Sequence, residues 1–254
     1  MFLSAIVPAY HEEACIEDAV RCCGAVADEV IVSDGGSADA TVSRAAGAGA
    51  RVVTGAKGRG PQLNRGARIA RGDVLLFVHA DTWLPQAARG AIDAALSDRS
   101  VVGGNFKLRF VPPSVSARVF GLANHLRRRH LRLYYGDSCI FLRRSVFEKL
   151  NGFPDIPVME DYALVRRLEK AGRTHYETAV AAETSARRFE GRVVRTLLVW
   201  GMIQGLYAAG VSPHRLARLY RDLRSMSRRA PPARRSADRA FAASGPGRET
   251  GTSR

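Results

Sequence analysis

Four times in its first 96 residues the chain passes from a short apolar stretch into a helical pattern, and this alternation constrains the fold more than any other feature. "LSAIVPAY" reads as a strand and "EEACIEDAVRCC" has helical spacing. "DEVIVSDGG" is a second strand ending in turn residues, before the helical "ADATVSRAAGAG". "ARVVTG" is a third, followed by a Gly-rich loop and the helix "PQLNRGARIAR", where Pro61 suits a first helical turn. "GDVLLFVHAD" is a fourth, and "PQAARGAIDAAL" is its helix. Strands and helices alternating at this spacing predict an α/β fold with a mostly parallel central sheet flanked by helices.

Beyond this the pattern changes. "VVGGNFKLRFV" has β character, "SVSARVFGLANHLRRR" is a basic amphipathic helix, and "YGDSCIFLRRSVFEKLNGF" is a strand running into a helix. "MEDYALVRRLEKAGR" is a helix opened by acids, as the macrodipole favours, and "THYETAVAAETSARRF" is a last strand. Residues 192–224 read as two helices broken near "GVSP", and from Ser225 the chain fills with Arg, Pro, Ser and Gly. The expected organisation is one α/β domain over residues 1–190, a C-terminal helical extension over 191–224 and a disordered Arg-rich tail over 225–254.

Composition excludes some functions. The net charge of +15 suggests a nucleic-acid binder, but eight of those charges fall in the last 44 residues, leaving a mildly basic body with one run, "RRRHLR". Arginine with abundant alanine and glycine also fits the codon usage of a GC-rich genome. The four cysteines lack metal-site spacing and are expected to be reduced thiols in a cytoplasmic protein. "MFLSAIVPAYHEE" lacks a basic stretch before its apolar run, so no signal peptide is expected, and no run reaches the roughly 20 apolar residues of a membrane span.

Ligands of such sheets bind at the carboxyl ends of the strands, so the strand ends are the informative places. They read Pro8-Ala9-Tyr10-His11-Glu12, Ser33-Asp34-Gly35-Gly36, Gly55 to Gly60, and His79-Ala80-Asp81. The Gly-rich loop fails the dinucleotide fingerprint, since Leu63 stands at its third position and the loop follows the third strand. It still sets backbone N–H groups, Lys57 and Arg59 near a helix start, where an anion would be stabilised; a plain turn is the alternative. Asp34 and Asp81 end strands on one sheet edge and can face one crevice, there to bind a nucleoside or a divalent cation bridging a diphosphate; an Asx turn or helix cap is the alternative for either. Glu160-Asp161 opens a helix, either as a cap or with one carboxylate as a general base.

"IVPAYHEE", "VIVSDGGSADAT", "GRGPQLNRGARIARGDVLLFVHADT" and "GFPDIPVMEDYALVRRL" together resemble the family 2 glycosyltransferases of the GT-A fold, and more narrowly small bacterial single-domain members with an "HADT" motif. The resemblance spans roughly residues 1–190. It implies that Pro8, Tyr10 and Glu12 form a nucleotide-binding turn and that Asp34 recognises the base, with Gly35, Lys57, Arg59 and Asn64 on the same donor side. It makes Asp81 the metal ligand, for Mn²⁺ or Mg²⁺, and Asp161 the catalytic base beside Glu160. Gly136 and Asp137 would line the acceptor side near the donor sugar. His79 replaces the first aspartate of the family's Asp-x-Asp, as an extra ligand or a polar strand end. The Gln-x-x-Arg-Trp sequence of processive members is absent, although "SARRF" offers Arg187 and Arg188 at a comparable place.

The implied activity is metal-dependent, inverting transfer of a single sugar from a nucleotide-diphosphate sugar, with uracil the expected base. The acceptor is unidentified. Arg127, Arg128 and Arg129, the apolar stretch from Thr196 to Val211 and the Arg-rich tail raise peripheral contact with an anionic membrane at its inner face and a lipid or lipid-linked acceptor; a core helix and a solvated tail are the alternative. A sugar nucleotidyltransferase would want a Gly-rich basic loop near the first strand, which is instead the acidic "PAYHEE". A nucleic-acid binder leaves the acids at the strand ends unexplained.

Overall fold

The computed structural model describes residues 1–185 and 193–228. In chain order its elements are β1 (Leu3–Ala9), α1 (Ile16–Gly24), β2 (Glu29–Asp34), α2 (Thr41–Gly47), β3 (Arg51–Thr54), α3 (Arg59–Ile69), β4 (Val74–Phe77), β5 (Thr82–Trp83), α4 (Ala88–Ser97), β6 (Val101–Val111) and α5 (Val115–Leu131). A 3₁₀ turn (Gly136–Ser138), β7 (Ile140–Arg143), α6 (Arg144–Lys149), α7 (Glu160–Ala171), β8 (Arg173–Ser185), α8 (Val193–Ala208) and α9 (Pro213–Arg228) follow.

The strands form one sheet in the order β3-β2-β1-β4-β7-β6-β8-β5. The half from β3 to β4 is parallel, as the strand–helix alternation requires. The other half is mixed: β7 runs antiparallel to both β4 and β6, β6 is parallel to β8, and β5 is antiparallel to β8. In the parallel half Ala9 pairs with Asp34 and Asp34 with Thr54, so three strands end level and their loops share one edge.

The fourth strand is shorter than the sequence suggests. β4 ends at Phe77, opposite Ile6, and a tight turn closed by the Thr82 N–H on the His79 carbonyl (3.1 Å) follows. The chain then crosses to the far end of the sheet, where Thr82 and Trp83 pair with Thr184 and Glu183. His79 and Asp81 therefore lie on a link between two parts of the sheet.

The sheet is covered on both faces. One core gathers Ile16, Ile92, Phe106, Phe120 and Phe141 beneath α1, α4 and α5. The other packs Phe77, Phe147 and Phe153, ring centroids 4.9–5.8 Å apart, beneath α3, α6 and α7. A third, smaller cluster joins α8 and α9 to the start of α7 through Ile203, Leu216, Met159 and Tyr162. The two C-terminal helices are present, and the second runs four residues past the expected end at Arg224. Residues 229–254, most of the expected disordered tail, lie outside the described residues. The four cysteines are free, and burial pushes the thiols of Cys23 and Cys139 up.

The basic run needs a correction. Arg128 is buried: its guanidinium bonds Asn105 Oδ1 (2.7 Å) and Thr174 Oγ1 (3.0 Å) and pairs with Glu169 (3.3 Å), tying α5 to β6, β8 and α7. Arg127 lies over the Tyr135 ring, 4.4 Å from its centroid. Of the three arginines expected at a membrane, only Arg129 stands in solvent.

Candidate active site

The level ends of β1, β2 and β3 are drawn together by one side chain. Gln62, in the first turn of α3 and 4% exposed, donates through Nε2 to the Ala9 (2.8 Å) and Ser33 (2.9 Å) carbonyls. Its Oε1 accepts the Gly58 N–H at 3.1 Å. One amide thus satisfies buried backbone groups from three loops, which are costly to leave unpaired. The Gly35 N–H donates to the Ala9 carbonyl (2.9 Å), and Gly36 takes φ +85°, a left-handed turn that suits glycine. Tyr10, after the half-buried Pro8, stacks under Lys57, whose Nζ is 3.6 Å from the ring centroid. Glu12 gives its backbone N–H to Thr41 Oγ1 (2.9 Å), and its carbonyl accepts the first N–H groups of α1.

Asp34 stands at the expected strand end, but its carboxylate is turned into the loop. Fully buried, it accepts the N–H groups of Gly36 (2.8 Å) and Ser37 (2.9 Å) and the Ser37 hydroxyl (2.5 Å). This is the Asx turn offered above as the alternative, and it shapes the loop on which a base would rest. Asn64 also differs from expectation: its amide donates to the Phe153 carbonyl (2.8 Å) and accepts the Phe153 N–H (2.9 Å), anchoring the segment that leads to α7. Arg187 and Arg188 lie outside the described residues.

The second half of the crevice is built of charges. Gly136 lies between His79 and Asp161: a Cβ added there would come 2.8 Å from His79 Nε2 and 3.5 Å from Asp161 Oδ2. Its N–H donates to Asp161 Oδ2 at 3.0 Å, and Asp161 Oδ1 accepts the Tyr162 N–H at 2.7 Å. Arg59, expected at the diphosphate, pairs with Glu160 and lies 3.5 Å from Asp161 Oδ2. Glu160 is as buried as Asp161 beside it, and its carboxylate is engaged by Arg59. Met159, just before it, has φ +69°, a strain of about 1–3 kcal/mol for a residue with a side chain. Its packing against α8 and α9 holds it there.

Asp137 is the carboxyl of the crevice pushed furthest toward neutral pH. Its Oδ1 is sealed from solvent and has no hydrogen-bond partner among the described residues. Burial pushes its carboxyl up to about 6; the charges of Asp161 and Asp81 add to this, and Arg127 and Arg59 oppose it. Burial and the Asp161 charge likewise raise Glu160, against Arg59. Asp81, Asp137 and Asp161 therefore crowd one place from three distant parts of the chain. Among the described residues no group of three or more His, Cys, Asp or Glu is arranged to hold a metal by itself. Sequence reasoning missed Gln62, and it weighed Arg127 only for a membrane contact and not for its place over Tyr135. It also missed Tyr135, which stacks with Tyr162 (6.1 Å) and donates to Gln204 Oε1 of α8 (2.6 Å).

Known proteins share this architecture. A mycobacterial protein of solved structure is 25% identical over 72% of this chain and 65% of its own, with a TM-score of 0.52. Glucosyl-3-phosphoglycerate synthase from Mycobacterium tuberculosis, solved with Mn²⁺, uridine diphosphate and glucosyl-3-phosphoglycerate, is 23% identical over 72% of this chain and 70% of its own (TM-score 0.51). TarS of S. aureus is 18% identical over 73% and 37% (TM-score 0.58), so the chain spans less than two thirds of the first and of TarS. A comparison with curated protein sequences returns no match. The family described as glycosyl transferase family 2 matches residues 4–150, more than half of the chain, and includes Asp34, Asp81 and Asp137 but stops before Glu160. The chain belongs to glycosyl transferase family 2.

Proposed function

We propose that this enzyme transfers one glycosyl group from a uridine-diphosphate sugar to an acceptor hydroxyl by a single displacement with inversion. The observation that carries the reading is the convergence of Asp81, Asp137 and Asp161 around Gly136, beside loops that Gln62 holds level. The donor would lie along that edge, its nucleoside against the Tyr10–Lys57 pair and the Asp34 loop and its sugar toward Gly136 and Asp137.

The residues fit a divalent cation of the Mn²⁺ or Mg²⁺ kind. Asp81 supplies hard oxygen, and it stands close enough to Asp137 and Asp161 for their charges to raise Asp137, so a cation at Asp81 would meet favourable charge. Such a cation, when bound at Asp81, would offset the charge that develops on the departing diphosphate. Asp161 receives the proton of the attacking hydroxyl on Oδ2, the oxygen that Gly136 and Arg59 orient. Glu160 keeps Arg59 in place, and Asp137 faces the sugar and acceptor.

Asp161→Asn keeps the shape and the Gly136 contact but removes the base. Release of uridine diphosphate from the donor should fall at least about a hundredfold, with donor affinity by calorimetry within about twofold. Loss of donor binding in parallel with turnover would remove Asp161 from the role of base.

A further inference from the structure

α5 is inverted relative to an ordinary surface helix. Capped by Ser114, whose Oγ accepts the Ala117 N–H at 3.0 Å, it buries Asn124 and Arg128 beside Ala117 and Phe120. Val115, Val119, Leu122 and Leu126 line its solvent side, with Val115 79% and Leu122 58% exposed. At 100° per residue these four fall within one narrow stripe, with Arg118 and Arg129 along one shoulder. α8 adjoins α5 through Phe120 and Trp200, ring centroids 5.9 Å apart, and also has an apolar outer face: Leu198, 69% exposed, and Met202, 41% exposed. Seven of the nine exposed large apolar side chains among the described residues lie on these two helices. Concentration of this kind marks an interaction surface.

We propose that the α5–α8 face docks on an anionic bilayer, with the apolar stripe entering the headgroup boundary and the exposed arginines contacting lipid phosphates. Charge selects this occupant. Neither α5 nor α8 contains an acid, and Arg118, Arg129 and Arg195 stand exposed on them, with Arg132, which pairs with Glu169 (3.0 Å), just past α5. A second copy would bring two basic faces together, which costs free energy. The C-terminal segment from residue 229 is basic and holds Phe241 as its one large apolar residue, so it complements neither the charge nor the stripe. An anionic bilayer matches both, as for helices that lie in the membrane plane. Tyr135, bonded to Gln204 of α8, links this face to the carboxylate crevice, so docking would hold the crevice close to the lipid surface. This inference concerns binding and stands apart from the transfer reaction.

The test is sedimentation of the full-length chain with vesicles of phosphatidylcholine alone and of equal parts phosphatidylcholine and phosphatidylglycerol. The protein should pellet with the anionic vesicles, more weakly in high salt. Leu122→Ser with Leu126→Ser should weaken partitioning at least about tenfold, leaving melting temperature and uridine-diphosphate binding unchanged. Two results would overturn the proposal. One is undiminished pelleting of the double variant, which would assign binding to the Arg-rich C-terminal segment. The other is no pelleting at all, in which case a dimer in sedimentation velocity that the double variant dissolves would give the face to a second copy.

Discussion

The two halves of the sheet edge solve different problems. Along β3-β2-β1 the crevice is made mainly of backbone, one neutral amide, the sealed Asp34 and the Tyr10–Lys57 pair; nearly every polar atom named there already has a partner. Beyond β4, around the 3₁₀ turn and the start of α7, the same edge holds four acidic groups and two arginines, with burial raising Asp137 and Glu160. The first arrangement favours rigidity, which suits the nucleoside-binding role proposed for it. The second stores unfavourable charge that a cation and a reacting hydroxyl can relieve. Binding and chemistry should therefore be separable by mutation.

The largest separation is expected at Gly136. Gly136→Ala forces its new carbon against His79 Nε2 and disturbs Asp161, so release of uridine diphosphate should drop about a hundredfold while nucleotide affinity stays within about twofold. Weakened nucleotide binding would break the division between the halves. On the other side, Gln62→Ala removes a donor from the Ser33 and Ala9 carbonyls, the latter keeping the Gly35 N–H, and leaves the Gly58 N–H without its acceptor, which should cost about 1–3 kcal/mol in denaturant unfolding and weaken nucleotide binding. A variant that melts normally and binds normally would show that the loops need no common tie.

Asp137 bears on stability alone, with a definite sign. Its carboxyl titrates near 6 in the folded protein and near 4 when unfolded, so the folded state holds the proton more tightly. Stability should decline as pH rises from about 4 to about 6, by about 1–3 kcal/mol, and Asp137→Asn should flatten that slope. A slope of the same size in the variant would place the raised carboxyl elsewhere, Glu160 being the first alternative.

How far the fold was legible follows from the range of the interactions. The parallel half is local: each strand and its helix declare themselves by period, and the level ends carry the residues that the pattern singles out. β4 was read too long because nothing in "VLLFVHAD" marks the point where pairing with β1 stops. The Asn64 bond to Phe153 was not legible because that partner lies 89 residues away. Arg128 looked like surface charge because Asn105, Glu169 and Thr174 meet it only once three other elements are in place. α5 shows a limit of periodicity itself. A 3.6-residue repeat identifies an apolar stripe but not the side on which it lies, and here the core takes the side of Ala117, Phe120, Asn124 and Arg128 and leaves the Val115–Leu126 stripe outside.

Isothermal calorimetry of uridine diphosphate, with and without Mn²⁺, on the native enzyme and on Asp81→Asn tests the account most directly. Binding by the native enzyme should strengthen at least about tenfold with the cation, and the variant should lose that gain while keeping its weaker, cation-free affinity. Equal affinity with and without Mn²⁺, or an undiminished cation effect in Asp81→Asn, would contradict the placement of the metal and diphosphate at the end of the fourth strand.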